Sequence, residues 1–261
     1  MNVLLIVETF VAFMLALVLH DWGHSFAATL LGDDSLASDG LISPNPVRHL
    51  APVGTFVAVI LSFISYAGLG WGRPARVDSS RIRGGPDFGA VLVAIAGPFF
   101  NVGFGLLILV GTSFIPGFQR LPAFVDSLSG PCPIYTGGYF GQSLQHCLVH
   151  AQPGYLLRIE QFLIVLSITN LVIALVNILP LHPLDGYRVL YALLPSNAAM
   201  RLRRWEPYME GILLIIFLVV PFILELAGIS GFNPAAIFTN LAAAIASQVA
   251  GPAVVLTMQL L

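Results

Sequence analysis

The sequence predicts an all-α fold, a multi-pass transmembrane helical bundle with one re-entrant segment. Of its 261 residues, 57% are apolar and 9% charged, and mean hydropathy is +0.89. So few charges cannot furnish a water-facing surface, and the chain must be solvated largely by lipid. Apolar runs recur at lengths that suit a bilayer, a helical crossing taking about 20 residues. Most arginines fall in the loops between those runs.

The runs lie at Val3 to Leu31, Asp87 to Ile115, Arg158 to Pro180 and Met209 to Gly228, which predicts four crossings. The first has no basic residue before it and is too long for a signal-peptide core, so it reads as a retained span. A shorter run, Pro52 to Gly70, ends in Gly68-Leu69-Gly70-Trp71-Gly72, and an uncharged run, Asn233 to Leu261, is broken by Gly251-Pro252. Whether either crosses is left open by pattern alone. No stretch is long and polar enough for a soluble domain, so residues 1–261 read as one membrane-embedded domain, with a core over 1–195 and C-terminal spans over 205–261.

Charge orients the spans. All eleven basic residues are arginine, and Arg73, Arg76, Arg81 and Arg83 follow the short run while Arg188, Arg201, Arg203 and Arg204 follow the Arg158 to Pro180 run. Both loops are therefore expected on the cytoplasmic side. The loop Pro116 to Gly154 then lies outside, and it holds both cysteines, Cys132 and Cys147. A disulfide between them suits the oxidising side; free thiols, or an external metal site with His146 and His150, are the alternatives. A net charge of -2 with scattered arginines gives no reason to expect nucleic acid as a partner.

Two motifs carry chemistry. His20-Asp21-Trp22-Gly23-His24 puts two imidazoles four residues apart on one helix face, separated by about 6 Å of rise. One metal ion can bridge such a pair, and a catalytic zinc takes three protein ligands with a fourth position open. The bland alternative is two histidines bonded to polar neighbours. An acidic residue at mid-membrane costs about 2.5 to 3.5 kcal/mol on insertion scales, which favours a ligand or a polar cavity. The second motif, Asn177-Ile178-Leu179-Pro180-Leu181-His182-Pro183-Leu184-Asp185-Gly186, cannot be regular helix because of Pro180 and Pro183. Asp185 is the natural third ligand; as alternatives it caps the next helix, or His182 ligates in its place or stands behind the ligands.

These residues resemble the site-2 protease family of intramembrane zinc metalloproteases, in its compact form without extra soluble domains. Besides the His-x-x-x-His helix and Pro183-Leu184-Asp185-Gly186, the resemblance rests on Asn45-Pro46-Val47-Arg48-His49, Pro52-Val53-Gly54-Thr55, Gly70-Trp71-Gly72-Arg73-Pro74 and Ala96-Gly97-Pro98-Phe99-Phe100-Asn101, in that order. It implies a zinc site between helices with His20, His24 and Asp185 as ligands, and Asn101 and Asn177 lining the substrate or stabilising the transition state. It further implies a multi-pass protein of the cell membrane whose partners are the bilayer and a membrane protein substrate. Where the family has glutamate as general base this chain has Asp21, shorter by about 1.5 Å. A proteolytically inactive member that binds zinc and client helices is therefore the second expectation, ahead of a metal transporter, which needs polar groups at successive depths on several spans.

A shared metal also constrains topology. Both motifs sit towards the C-terminal ends of their spans, so those spans must run in one direction and an odd number of crossings must separate them. With arginine on both sides, the run from Pro52 to Gly70 is the one expected to re-enter rather than cross.

Overall fold

A computed structural model describes residues 3–65, 68–74, 77–78, 81–83, 86–114, 154–229 and 232–250. Its helices are α1 (Val3–Leu30), α2 (Ser35–Ser38), α3 (Pro52–Ser65), α4 (Pro86–Ser113), α5 (Gly154–Asn177), α6 (Asp185–Leu193), α7 (Ser196–Arg203), α8 (Glu206–Leu214), α9 (Val220–Leu226) and α10 (Pro234–Ala250), with a π-helical stretch, Ile215–Val219, joining α8 to α9. Among the described residues the β structure amounts to an isolated bridge between Leu50 and Gly72. Cys132 and Cys147, and the disulfide expected of them, lie outside the described residues.

Among the described residues, three helices are long and apolar enough to cross a membrane: Val3–Leu30, Asp87–Thr112 and Glu206–Leu226. The fourth expected crossing is α5, which has 24 residues, of which the apolar part is Gln161–Asn177. It stops at Asn177, short of Pro180, a residue that disfavours helical backbone before it and brings no N–H to the ladder. The outward faces of the long helices are apolar stripes at helical spacing. Leu4, Val7, Val11 and Leu15 form one on α1, and Phe88, Leu92, Ile95, Phe99 and Val102 one on α4, all of them exposed. Helices apolar all round belong in hydrocarbon, which needs no polar outer face.

Contacts along the helices fix their directions. Near the start of α1, Leu5 and Ala12 cluster with Val165 of α5, and Gln161 donates to Glu8 at 2.8 Å. Further on, Phe13 and Ala16 cluster with Ile173. Positions on α1 and α5 thus rise together, so the two run parallel. On α4 they fall as those on α1 rise, since Val93 meets His24 and Asn101 meets Ala16. Among the described residues, one long antiparallel helix, α4, stands between two parallel ones, as a site shared by both C-terminal ends requires.

The run from Pro52 to Gly70 makes this count possible. Helix α3 has 14 residues, about 21 Å at 1.5 Å per residue, against a hydrocarbon core of about 30 Å. The chain then comes back to where it entered: Gly72 bridges Leu50, and the Arg73 N–H donates to the His49 carbonyl at 3.1 Å. Glycine permits the close return. A Cβ on Gly54 would collide with the Trp71 carbonyl, and one on Gly70 with the Gly54 carbonyl. Trp71 is fully buried against this turn, and its indole N–H donates to Glu210 of α8 at 3.0 Å, satisfying its polar edge.

The core centres on α5, whose Ile168, Leu171, Val172 and Val176 are buried among Val57 and Leu61 of α3, Leu213 and Phe217, and the alanines Ala235, Ala242, Ala243 and Ala246 of α10. The chain leaves α1 through Gly32, whose φ of 98° suits glycine, with the Asp33 N–H donating back to the Ala28 carbonyl. The buried Asp33 carboxylate then accepts from the N–H groups of Ser35 and Asp78 at 2.9 and 2.8 Å, tying the loop after α3 to the end of α1. Burial works against its charged form, but those donors outweigh it and hold the carboxyl below the usual carboxylate range.

The hairpin carries a prediction. In a chain with Cys132 and Cys147 replaced by serine, the exposed positions 48 and 73, as Arg48→Cys and Arg73→Cys, will both react with an impermeant maleimide from the same side of sealed vesicles. Labelling from opposite sides would mean that the segment crosses.

Candidate metal centre

Helix α1 presents His20 and His24 one turn apart on the face turned towards α4 and α6. The first turn of α6 brings Asp185 to them. His20 Nε2 lies 2.9 Å and His24 Nε2 3.2 Å from Asp185 Oδ2, and the two imidazole nitrogens are 3.0 Å apart. All three residues are buried. The rings stand edge to face at 89°, so their nitrogens point to a common place instead of stacking.

Asp185 arrives there because the chain turns sharply after α5. The turn from Leu179 to Leu184 is closed by N–H donation from Leu181 to Leu179 and from Leu184 to Leu181, and the His182–Pro183 peptide is cis. Gly186 lets α6 begin directly against the end of α5, since a Cβ there would strike the Ile178 carbonyl. The cap of α6 is Leu184, with Asp185 one residue inside the helix. Its carboxylate is thus turned to the histidines rather than spent on capping, and it sits at the helix end whose dipole favours an anion.

Neighbouring groups orient the rings. His24 Nδ1 lies 2.7 Å from the Val93 carbonyl, which can only accept, so Nδ1 carries the proton and Nε2 keeps its lone pair facing the cluster. Pro98 in α4 removes the N–H that would pair with Ala94; the carbonyl one residue earlier is the one His24 uses. Gly97 gives the rings room. A Cβ there would lie 2.5 Å from His24 Nε2 and 2.8 Å from His20 Cε1. Gly23, between the histidines, packs against α4 in the same way, with the Ala96 carbonyl 2.7 Å from where a Cβ would be. Small residues on both helices thus bring α1 and α4 into backbone contact at the depth of the cluster.

Asp21 is buried beside this cluster and pairs with His49, whose Nδ1 lies 2.6 Å from Asp21 Oδ2. The other ring nitrogen donates to the Ser43 carbonyl at 2.8 Å. A buried carboxylate in an apolar protein needs such a partner, and the pairing was not foreseen from sequence. The signal was present, since His49 closes the Asn45-Pro46-Val47-Arg48-His49 motif, but nothing in that motif says which acid it meets. Nor do side-chain patterns reveal the Val93 carbonyl.

The two asparagines expected to face substrate are buried with their donors engaged. Asn177 donates to the Ile173 carbonyl of its own helix at 2.9 Å, and Asn101 to Ala16 of α1 at 3.3 Å. Asn101 Oδ1 is buried with no hydrogen-bond partner among the described residues. His182 points elsewhere: its Nε2 is 3.5 Å from Glu206, and its ring meets Tyr187 edge to face. Among the described residues, the group of three or more His, Cys, Asp or Glu with ligand atoms converging within 4.8 Å is His20, His24 and Asp185.

Comparison with known proteins places this geometry in a lineage. The chain is 30% identical over 212 residues to a Bacillus subtilis (strain 168) protein, covering 79% of this chain and 78% of that one. It is 26% identical over 228 residues to a protein of Mycobacterium tuberculosis (strain ATCC 25618 / H37Rv), covering 83% and 73%. Both carry the name "Putative zinc metalloprotease", as YwhC and Rip2 respectively. No solved structure matches the chain. The family model for peptidase family M50 matches residues 8–220, a span that takes in α1 with its two histidines, the α3 hairpin, α4, α5 and Asp185, and this chain belongs to that family.

Proposed function

We propose that this chain is an intramembrane zinc metalloprotease, a multi-pass protein of the cell membrane that hydrolyses peptide bonds within or near the spans of membrane protein substrates. The observation that carries the reading is the convergence of His20, His24 and Asp185 inside an apolar protein. Their chemistry fits zinc. Tetrahedral bonds of about 2.0 to 2.1 Å set ligand atoms about 3.3 Å apart, and here they lie 2.9 to 3.2 Å apart. Asp185 Oδ2 and the two Nε2 atoms face one another across a space of the size a divalent cation fills, with His24 Nε2 turned inward as a lone pair by the bond its Nδ1 makes to Val93.

In this reading His20, His24 and Asp185 hold the metal. When bound, zinc supplies Lewis-acid polarisation of the scissile carbonyl and makes a water acidic enough to attack near neutral pH. Asp21 takes the proton from the attacking water on its carboxylate and hands it to the leaving amide nitrogen. Asn101 Oδ1, buried and unpartnered, suits a substrate backbone N–H, because a span can be cut only after its helix unwinds and frees such groups. Asn177 must give up its bond to Ile173 before it can donate to substrate. The second reading, an inactive member that retains zinc and binds client helices, is favoured by Asp21 standing where the resembling family has glutamate.

Three measurements test this. The purified chain will hold about one zinc per molecule, and His20→Ala or Asp185→Ala will lose it, with chelator-sensitive cleavage of a membrane substrate lost in parallel. Gly97→Ala will have the same effect without altering any ligand, because its methyl occupies the space of the imidazoles. Asp21→Asn will keep zinc but slow cleavage by about 10² to 10⁴-fold. If the native chain cleaves nothing and Asp21→Glu does, the inactive reading replaces the first.

A further inference from the structure

The Asp21–His49 pair asks for a role, because both side chains are withdrawn from solvent and the 2.6 Å contact is short for a bond between nitrogen and oxygen. Burying a carboxylate and an imidazole together is costly unless each is fully bonded. His49 is fully bonded. The Ser43 carbonyl and the Asp21 carboxylate can both only accept, so the ring donates from Nε2 at 2.8 Å and from Nδ1 at 2.6 Å, as an imidazolium paired with the carboxylate. The ring cannot turn without breaking both contacts. Asp21 in turn has one oxygen held and its carboxylate plane set by a group on a different element.

We propose that His49 is the positioning residue for Asp21 in peptide hydrolysis: it grips Oδ2 and so directs the other carboxylate oxygen towards the attacking water. The inference rests on the protease reading above and adds a residue to it. Its physical content is compensation for length. A side chain about 1.5 Å shorter than glutamate has less reach, and proton transfer needs a heavy-atom distance of about 2.6 to 3.2 Å. A short side chain that swings freely spends little time in range; one clamped at Oδ2 is held in a single orientation. His49 is itself tied to the hairpin, because its carbonyl receives the Arg73 N–H and its neighbour Leu50 bridges Gly72. The clamp is thus anchored to the return of the re-entrant segment as well as to its entry.

Substitution at His49 separates positioning from packing, because the two amide residues mimic different ring nitrogens. The asparagine amide stands about where Nδ1 stands and can still donate to Asp21, whereas the glutamine amide stands about where Nε2 stands and can donate to Ser43. The full-length chain in detergent or liposomes is assayed for bound zinc, for thermal stability, and for kcat and KM on one membrane substrate. Expected are a loss of at least about 10-fold in kcat for His49→Ala, KM and zinc unchanged, recovery to within about threefold in His49→Asn, and no recovery in His49→Gln. Thermal stabilities of Asp21→Asn, His49→Ala and the double variant will be non-additive, which reports the pair independently of activity.

Several results overturn the proposal. His49→Ala cleaving as the native chain does removes the role. Recovery by glutamine but not asparagine makes His49 an anchor for Ser43, and loss of zinc in His49→Ala makes it a support for the metal ligands. Additive stabilities dissolve the pair. A native chain that cleaves nothing removes the protease reading itself, and the positioning role with it.

Discussion

Three ligand-type atoms from positions 20, 24 and 185 meet within 3.2 Å of one another, and the helices are arranged as that meeting demands. Two helices that deliver residues to one depth from their C-terminal ends must run parallel, and the chain joining them must cross an odd number of times. Among the described residues, α4 is the long helix that runs back between them. The hairpin of α3 is the device by which the intervening sequence uses apolar residues without adding a second one. Its two ends are stitched together by the Leu50–Gly72 bridge and the bond from Arg73 to His49, so both lie at the level of the site and the parity is kept.

Electrostatics imposes the next constraint. Two of the buried carboxylates, Asp21 and Asp185, belong to the cluster in a protein whose outer faces are apolar, and on insertion scales each costs about 2.5 to 3.5 kcal/mol at mid-membrane. Neither is left alone: Asp185 faces two imidazoles and Asp21 a third. All three histidines involved belong to motifs near the N-terminus, on or just beyond α1. The acid from position 185 is the one that must be carried in, and the abrupt turn at Pro180 to Gly186 carries it. Breaking α5 at Asn177 is therefore as much a part of the site as the residues that ligate.

Much of this was legible in the sequence because the relevant signals are local. Two histidines at a spacing of four share a face of a helix, prolines at 180 and 183 interrupt regular helix, and stripes such as Phe88, Leu92, Ile95, Phe99 suit a lipid-like solvent. What was not legible depends on which helices approach most closely. Gly97 belongs to a motif, but nothing in the motif says that it makes room for the imidazoles of α1, and Val93 contributes only a backbone carbonyl. The asparagines show the reverse. Their position in motifs marks them for substrate, while their amide donors are engaged by helix carbonyls, a competition that sequence cannot score because any buried asparagine has backbone within reach.

The pairing of Asp21 with His49 links these levels. A carboxylate at position 21 is fixed by helix periodicity beside the face that holds His20 and His24, but periodicity sets only where its Cα lies. The orientation of a side chain with two free torsions has to come from elsewhere in the fold, and here it comes from the chain entering the hairpin. The glycines at 54 and 70 that let the hairpin close therefore act on Asp21 at one remove: they allow residues 71–73 to pack against 49–50, which sets the backbone of His49, whose ring in turn holds the carboxylate. The re-entrant segment thus resolves the topological parity and supplies the contact that fixes Asp21. A design that replaced it with a polar loop of equal length would keep the directions of α1 and α5 but lose that contact.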